Sequence, residues 1–266
     1  MRVAVHWPGD SIRDAIAPLL PGFAVEILAQ IDSTNSELMR RARAGRMEPI
    51  LLVAEQQTAG RGRLGRQWFS GGATPHAGLA FSLGLPLSPR DWSGLSLAVG
   101  IGLVESLHPD LRLKWPNDIW WHDRKLAGIL IETANWGEPG GARYAVLGVG
   151  VNLRLPAADG LRTPPAALDE LLPGMDTASA LLAIAAPLVR SVKEFERHGF
   201  APFQPRFNQR DALAGVSVTL SDGTLGTALG VDAAGALQVK TALGLKQITS
   251  SEVSLRQGAT VPYECL

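Results

Sequence analysis

Gln57-Thr58-Ala59-Gly60-Arg61-Gly62-Arg63-Leu64-Gly65-Arg66-Gln67-Trp68 is the stretch on which the reading of this chain turns. It contains GRGRLG, a formal match to the dinucleotide-binding pattern GxGxxG. That pattern has meaning only after a strand, before a helix, and with an acidic residue about 20 residues further on. The strand is there: Pro49 to Gln56 (PILLVAEQ) is a short apolar run. The helix is not, because Gly71, Gly72 and Pro75 break Gln67 to His76. The acidic residue at a following strand end is missing as well. A dinucleotide fold is therefore rejected. What remains is three arginines on a glycine-rich loop whose amides can approach an anion closely. Arginine forks match phosphate or carboxylate oxygens two at a time. Trp68 adds a flat face for stacking a base. Taken alone, the stretch is better read as a solvated, flexible loop.

Working outward, residues 1–22 are Pro-rich, with one short helix at most. Phe23 to Ile31 predicts a strand. Asp32-Ser33-Thr34 offers N-cap oxygens to a helix over Asn35 to Ala44, which ends at Gly45. The loop from Gln57 to His76 has no period, and a loop that long in a compact domain is usually functional or mobile. Leu79 to Leu85 predicts a strand, and Ser93 to Leu107 a helix weakened by Gly100 and Gly102. Strands follow at Leu111 to Trp115, Ile119 to Trp121, Leu126 to Thr133 and Tyr144 to Leu153, with Asn135 to Gly141 as a link. Residues 154–176 read as Pro/Ala-rich linker. Thr177 to His198 predicts a helix that Pro187 should kink, and Gly199 to Arg210 a short one.

The pattern changes after Ala214. Val216 to Leu220, Thr224 to Val231, Leu237 to Thr241 and Leu245 to Ile248 are short strands separated by glycine turns. That spacing predicts a small closed β-barrel. The domain boundary is expected near residue 213, giving units 1–213 and 214–266.

The 266 residues carry 25 Lys plus Arg against 25 Asp plus Glu, so the formal net charge is zero. A dedicated nucleic-acid binder usually shows a basic excess. The neutrality hides local excesses, however. From Glu55 to Ser70, three arginines face one glutamate, a net +2. From Arg112 to Glu132, four cations face three carboxylates, a net +1. The lone cysteine, Cys265, excludes an intrachain disulfide and a CxxC metal knuckle. The N-terminus lacks a signal-peptide pattern, and no apolar run is long enough to span a bilayer. A cytoplasmic protein without membrane contact is expected. His6, His76, His108, His122 and His198 are scattered, no Walker A or HExxH motif occurs, and Ser33 and Ser70 lack any identifiable His/Asp partnership.

Three further segments carry chemistry. Lys114-Trp115-Pro116-Asn117-Asp118 presents a cation, an amide and a carboxylate around a turn. Asp beside Asn suits a magnesium–phosphate site, although a plain Asn-Asp turn is the better reading of this segment alone. Arg124-Lys125-Leu126-Ala127-Gly128-Ile129-Leu130-Ile131-Glu132 places two cations before a buried strand, and Gly128 lets something pack closely on it. Gly148-Val149-Gly150-Val151-Asn152 is a strand whose glycines signal close backbone approach.

Each signal is weak alone, but their order is not. Asp32-Ser33-Thr34-Asn35, the GRGRLGRQW stretch, KWPND, RKLAGIL and GVGVN together resemble the biotin protein ligase family, over most of the chain from about residue 30. The RGRxGRxW and KWPND…RKLAGIL pair is highly specific for it. The resemblance implies an α+β fold: a central mixed sheet with helices, plus a small C-terminal SH3-like β-barrel. It implies formation of biotinyl-5′-AMP from biotin and ATP, with Mg2+, followed by transfer to a lysine of the biotin carboxyl carrier protein of acetyl-CoA carboxylase. It also implies roles for individual residues. Ser33, Thr34, Asn35 and Gln57 match biotin contacts. Arg61, Gly62 and Arg63 match a loop that closes over biotin and the adenylate phosphate. Arg66 would add phosphate charge, and Trp68 would stack on adenine. Lys125 matches the lysine beside the biotin carboxylate and α-phosphate, with Lys125 and Arg63 as the catalytic pair. Gly128 would let the strand pack on the biotin chain. Lys114, Asn117 and Asp118 would serve ATP, Asp118 through its magnesium, and Asn152 the adenylate region.

Two departures stand out. Some family members begin with a helix-turn-helix module. About 30 Pro-rich residues precede the DSTN segment here, so no DNA contact is expected. Leu64 stands where some relatives carry another arginine. A monomer or a homodimer is compatible with the sequence. The competing expectations are a lipoate-type protein ligase and a non-catalytic RNA- or carrier-binding module.

Overall fold

The structure is a computed structural model, and it describes residues 6–69, 77–135, 142–156, 163–249 and 253–255. The elements run α1 (Gly9–Ile16), β1 (Ala24–Leu28), α2 (Thr34–Arg43), β2 (Ile50–Ala54), β3 (Gly78–Leu87), α3 (Leu95–Leu107), β4 (Arg112–Lys114), β5 (Asp118–Trp121), β6 (Arg124–Asn135) and β7 (Arg143–Asn152). After these come α4 (Leu168–Leu171), α5 (Thr177–His198), α6 (Gln204–Gln209), β8 (Ser217–Leu220), β9 (Leu225–Val231), β10 (Leu237–Thr241), β11 (Gly244–Ile248) and β12 (Val253–Leu255).

The first seven strands form one sheet in the order β1-β2-β3-β7-β6-β5-β4. Only β1 and β2 pair in parallel, so the sheet is mixed as expected. Strand side chains alternate between faces, and β7 shows the result. Tyr144 and Val146 pack with Leu38, Met39 and Ala42 of α2 on one face. Ala145, Leu147 and Val149 join the larger core formed with α1, α3 and α5 on the other. The sheet is thus covered by α2 on one side and by three helices on the other. That unequal cover leaves part of the α2 face open beside the helix N-terminus.

The lead-in does contain one short helix: α1 buries Ile12 and Ile16. Helix α5 continues through Pro187. The reading of 154–176 as a plain linker is corrected within its described part. Lys125 donates its amide to the Pro164 carbonyl (2.8 Å), and Ala166 donates to the Lys125 carbonyl (2.9 Å). This stretch therefore extends the sheet beside β6 before turning into α4. Residues 71–76, most of the Asn135 to Gly141 link, and Cys265 lie outside the described residues.

The last five strands form an antiparallel sheet in the order β11-β10-β9-β8-β12. Among the described residues no ladder joins β11 to β12, so this small sheet keeps two edges. It is tied to the large sheet at β4. Leu113 donates to the Arg210 carbonyl (2.8 Å), and Ala212 donates to the Leu113 carbonyl (2.9 Å). Buried Trp115 donates its indole N–H to the Gly235 carbonyl (3.1 Å).

Candidate active site

The site begins at the N-terminus of α2. Ser33 is the N-cap, and its hydroxyl accepts the Ser36 amide at 3.3 Å. Asp32 accepts the Ser33 amide (2.7 Å) and pairs with Arg40 (2.7 Å). The Arg40 guanidinium, helped by that amide, holds the Asp32 carboxyl down to about 2. These bonds fix the turn that delivers Thr34 and Asn35, both buried, to the open face of the sheet.

There they meet a polar cluster within an apolar sheet. Gln57 Oε1 accepts the Thr34 amide (2.8 Å) and hydroxyl (3.2 Å). Asn35 donates its side-chain N–H groups to the Leu130 carbonyl (3.1 Å) and to Glu132 Oε2 (2.9 Å). Its Oδ1 is thereby an acceptor, and it takes the Ser82 hydroxyl proton at 2.6 Å. Ser82 Oγ also stands 2.7 Å from Thr34 Oγ1. The approach is possible because residue 148 is glycine: a Cβ there would sit 2.1 Å from Asn35 Oδ1.

The arginine loop folds on itself above this face. Arg61 and Gln67 bridge antiparallel. Trp68 donates its amide to the Gly60 carbonyl (2.8 Å), and Gly62 donates to the Arg66 carbonyl (2.7 Å). Arg63–Gly65 makes one 3-10 turn with Leu64 in the left-handed region (φ 56) and its side chain exposed. This geometry separates the three arginines. Arg61 reaches Glu132 (2.7 Å) and Arg63 reaches Asn117 Oδ1 (3.1 Å). Arg66 is exposed at the end of the turn.

Trp68 lies down on the sheet. A Cβ at residue 150 would stand 2.2 Å from Trp68 Cε2, so glycine there makes room for the indole. A Cβ at residue 128 would stand 3.3 Å from Trp68 Cζ3, closer than ordinary contact, and 3.4 Å from the Lys125 ammonium. The Lys125 ammonium sits 5.7 Å from the centre of the Trp68 ring and 2.7 Å from Asp118 Oδ1. A bulge between Ile119 and Trp120 shifts the β5–β6 register and brings the two charges together.

Other expected site residues stand around this centre. Asn117 donates to the Ile129 carbonyl (2.9 Å) and, with Arg63, lines a cavity of about 350 Å³ also bounded by Trp115, Ile129 and Gly235. Lys114 pairs in register with Asp118, and its ammonium lies 5.1 Å from the centre of the Trp120 ring. Asn152 donates to the Lys125 and Ala166 carbonyls (3.2 and 3.0 Å), which braces the backbone behind the lysine. Ser82 and Glu132 were not expected at the site. Ser82 lies in the apolar run of β3, and Glu132 stands inside the strand read at Leu126 to Thr133, where nothing local gives it a partner.

The chain matches the model of the Biotin/lipoate A/B protein ligase family over residues 27–152. It matches that of the Biotin protein ligase C terminal domain over residues 215–256. It is 34% identical over 253 residues to the bifunctional ligase/repressor BirA of Escherichia coli (strain K12), covering 89% of this chain and 75% of that protein. The chain belongs to the biotin protein ligase family. Another relative in the family is the biotin–[acetyl-CoA-carboxylase] ligase of Paracoccus denitrificans, 32% identical over 249 residues, covering 85% of this chain and 98% of it. The biotin protein ligase of Aquifex aeolicus, solved in complex with biotin and ATP, superposes with a TM-score of 0.73 at 28% identity. That comparison covers 88% of this chain and 99% of the other. The first family match spans the α2 cluster, the arginine loop, Lys125 and Asn152 together, and the second spans the small sheet.

Proposed function

We propose that this chain is an ATP-dependent biotin–protein ligase acting on the biotin carboxyl carrier protein of acetyl-CoA carboxylase. The observation that carries the reading is the layout of one sheet face. A donor–acceptor cluster of neutral side chains (Thr34, Asn35, Gln57, Ser82), backed by the Arg61–Glu132 ion pair, lies at one end and a lysine–carboxylate pair (Lys125, Asp118) at the other. Trp68 covers Gly128 and Gly150 beside that pair. Neutral donors and acceptors suit a ureido ring, and a cation suits a carboxylate meeting a phosphate.

In the first step a biotin carboxylate oxygen attacks the α-phosphorus of ATP. The bond to the bridging oxygen breaks, and pyrophosphate leaves. Charge grows on the phosphoryl oxygens, where a fixed ammonium acts without reorganisation. Lys125 supplies that ammonium, held ready by Asp118, and Arg63 and Arg66 add guanidinium charge. Ser33, Thr34, Asn35 and Gln57 hold the biotin ring, Arg61 and Gly62 form the cover, and Gly128 leaves room for the chain. Trp68, seated on Gly150, stacks on the adenine, Asn152 fixes the adenylate side, and Lys114 and Asn117 line the way to the cavity that takes the leaving phosphates. In the second step a carrier lysine amine attacks the acyl carbon and AMP leaves. No protein nucleophile is needed, and the covering loop keeps water from the mixed anhydride.

Among the described residues no group of three or more His, Cys, Asp or Glu side chains could hold a metal. Asp118 offers a single carboxylate, which fits magnesium arriving on ATP with its phosphate and water ligands. Asp118 would hold it, and the ion would supply charge neutralisation on the phosphates. In this reading residues 1–213 carry catalysis and 214–266 close the nucleotide side. Among the described residues no helix is long and apolar enough to cross a membrane. This reading places the ligase in the cytoplasm beside its carrier substrate, as a monomer or homodimer.

The test is transfer to an isolated carrier domain with ATP and either biotin or lipoate, read by intact mass. A biotin adduct on one carrier lysine is expected. Lipoate transfer in its place, or carrier binding without an adduct, would reject the assignment in favour of a lipoate ligase or a non-catalytic binding module.

A further inference from the structure

Glu132 Oε2 accepts two hydrogen bonds, one from Arg61 Nη2 (2.7 Å) and one from Asn35 Nδ2 (2.9 Å). We propose that Glu132 is a positioning residue that latches the arginine loop shut over the end of the site farthest from the reacting atoms. The proposal rests on the biotin ligase reading.

The latch has a rigid base and a labile arm. Asn35 is 3% exposed and is also bonded to the Leu130 carbonyl and the Ser82 hydroxyl. Arg61 and Glu132, by contrast, have side chains 42% and 27% exposed. Pairs this open to water are individually weak and are screened by salt. A weak pair on a fixed base suits a loop that must open for biotin, close for adenylation and open again for the carrier.

The placement also divides the work of the loop arginines. Glu132 lies four residues along β6 from Gly128, which touches Lys125. At about 3.4 Å per residue this puts Glu132 about 14 Å along the strand from Gly128. Arg61 is therefore anchored at the Asn35 end and is not the phosphate ligand, whereas Arg63, bonded to Asn117, stands at the phosphate end.

The test compares wild type, Glu132→Gln, Arg61→Met and the double variant. Trypsin cutting after Arg63 and Arg66 reports loop opening without any chemistry, in the free protein and with biotin. Biotin-dependent pyrophosphate exchange gives KM and kcat. Release of biotinyl-5′-AMP formed in place from biotin and ATP gives residence time. Glu132→Gln should be cut at least fivefold faster, raise the KM for biotin and the adenylate release rate five- to tenfold, and lower kcat by less than twofold. Arg61→Met should do the same, and the double variant should add nothing further. Unchanged cutting and release in Glu132→Gln, or effects that multiply in the double variant, would overturn the latch. Absence of exchange in wild type would instead count against the ligase reading, and the trypsin comparison would still decide the latch.

Discussion

Lys125 Nζ and Asp118 Oδ1 stand 2.7 Å apart, seven positions apart in sequence and on neighbouring strands. The pair sets the lysine beside Trp68 and Gly128 rather than leaving it to sweep through solvent. Asp118→Asn should keep the fold and biotin binding, and should lower the adenylation rate on the order of tenfold, about 1.4 kcal/mol. It should also raise the magnesium concentration needed for half-maximal rate. Magnesium titrations of pyrophosphate exchange check both, and an unchanged titration would remove Asp118 from the nucleotide site.

Gly150 exists for Trp68. An alanine methyl would begin 2.2 Å from the indole, so the ring must leave. Gly150→Ala should therefore copy Trp68→Ala: a raised KM for ATP, with less effect on biotin binding to the free enzyme. Steady-state kinetics of both variants give the comparison. If Gly150→Ala behaves as wild type, the indole is not held by this contact.

Ser82 is fully buried and gives its proton to Asn35 Oδ1. Ser82→Ala leaves a buried acceptor short of a donor, a loss of about 1–3 kcal/mol in protein interiors. Biotin affinity should fall about tenfold or more, while the KM for ATP stays put. Calorimetric titration with biotin reads this directly, and equal affinity would show that Asn35 needs no such orientation.

Asp211 sits where the two sheets join. Its Oδ1 accepts the Leu213 amide, and among the described residues its buried Oδ2 has no hydrogen-bond partner. Burial pushes its carboxyl from 3.8 up to about 6. The unfolded chain loses this proton first. This carboxyl's contribution to stability is therefore fully present below pH 3.8, is lost as pH rises to about 6, and is level above that. The difference corresponds to about 3 kcal/mol at most. Asp211→Asn should abolish that fall, seen as a flatter urea midpoint between pH 4 and 6. An identical pH profile in the variant would contradict it.

Much of the fold was open to reading because local signals agreed. Asp32-Ser33-Thr34 announced the start of α2, and Ser33 is its N-cap. The alternation in β7 follows its two-sided burial. Other features depended on contacts between distant segments. Ser82 sits in an unbroken apolar run, and only its facing α2 makes it polar-cluster chemistry. Glu132 looks like an ordinary strand end until Arg61, 71 positions away, is folded onto it. Pro164 and Ala166 read as linker, because nothing in a Pro/Ala composition reveals that both bond to the Lys125 backbone. Lys125 and Asp118 were each visible, but the bulge that joins them is a register shift with no local signature.

The most direct measurement of the central claim is biotin-dependent ATP–pyrophosphate exchange by wild type, Lys125→Ala and Arg63→Ala, with circular dichroism confirming that each is folded. The account predicts exchange that requires biotin in the wild type and a loss of at least a hundredfold, about 2.7 kcal/mol, in each variant. Exchange at full rate in either variant, or none in the wild type, would contradict it.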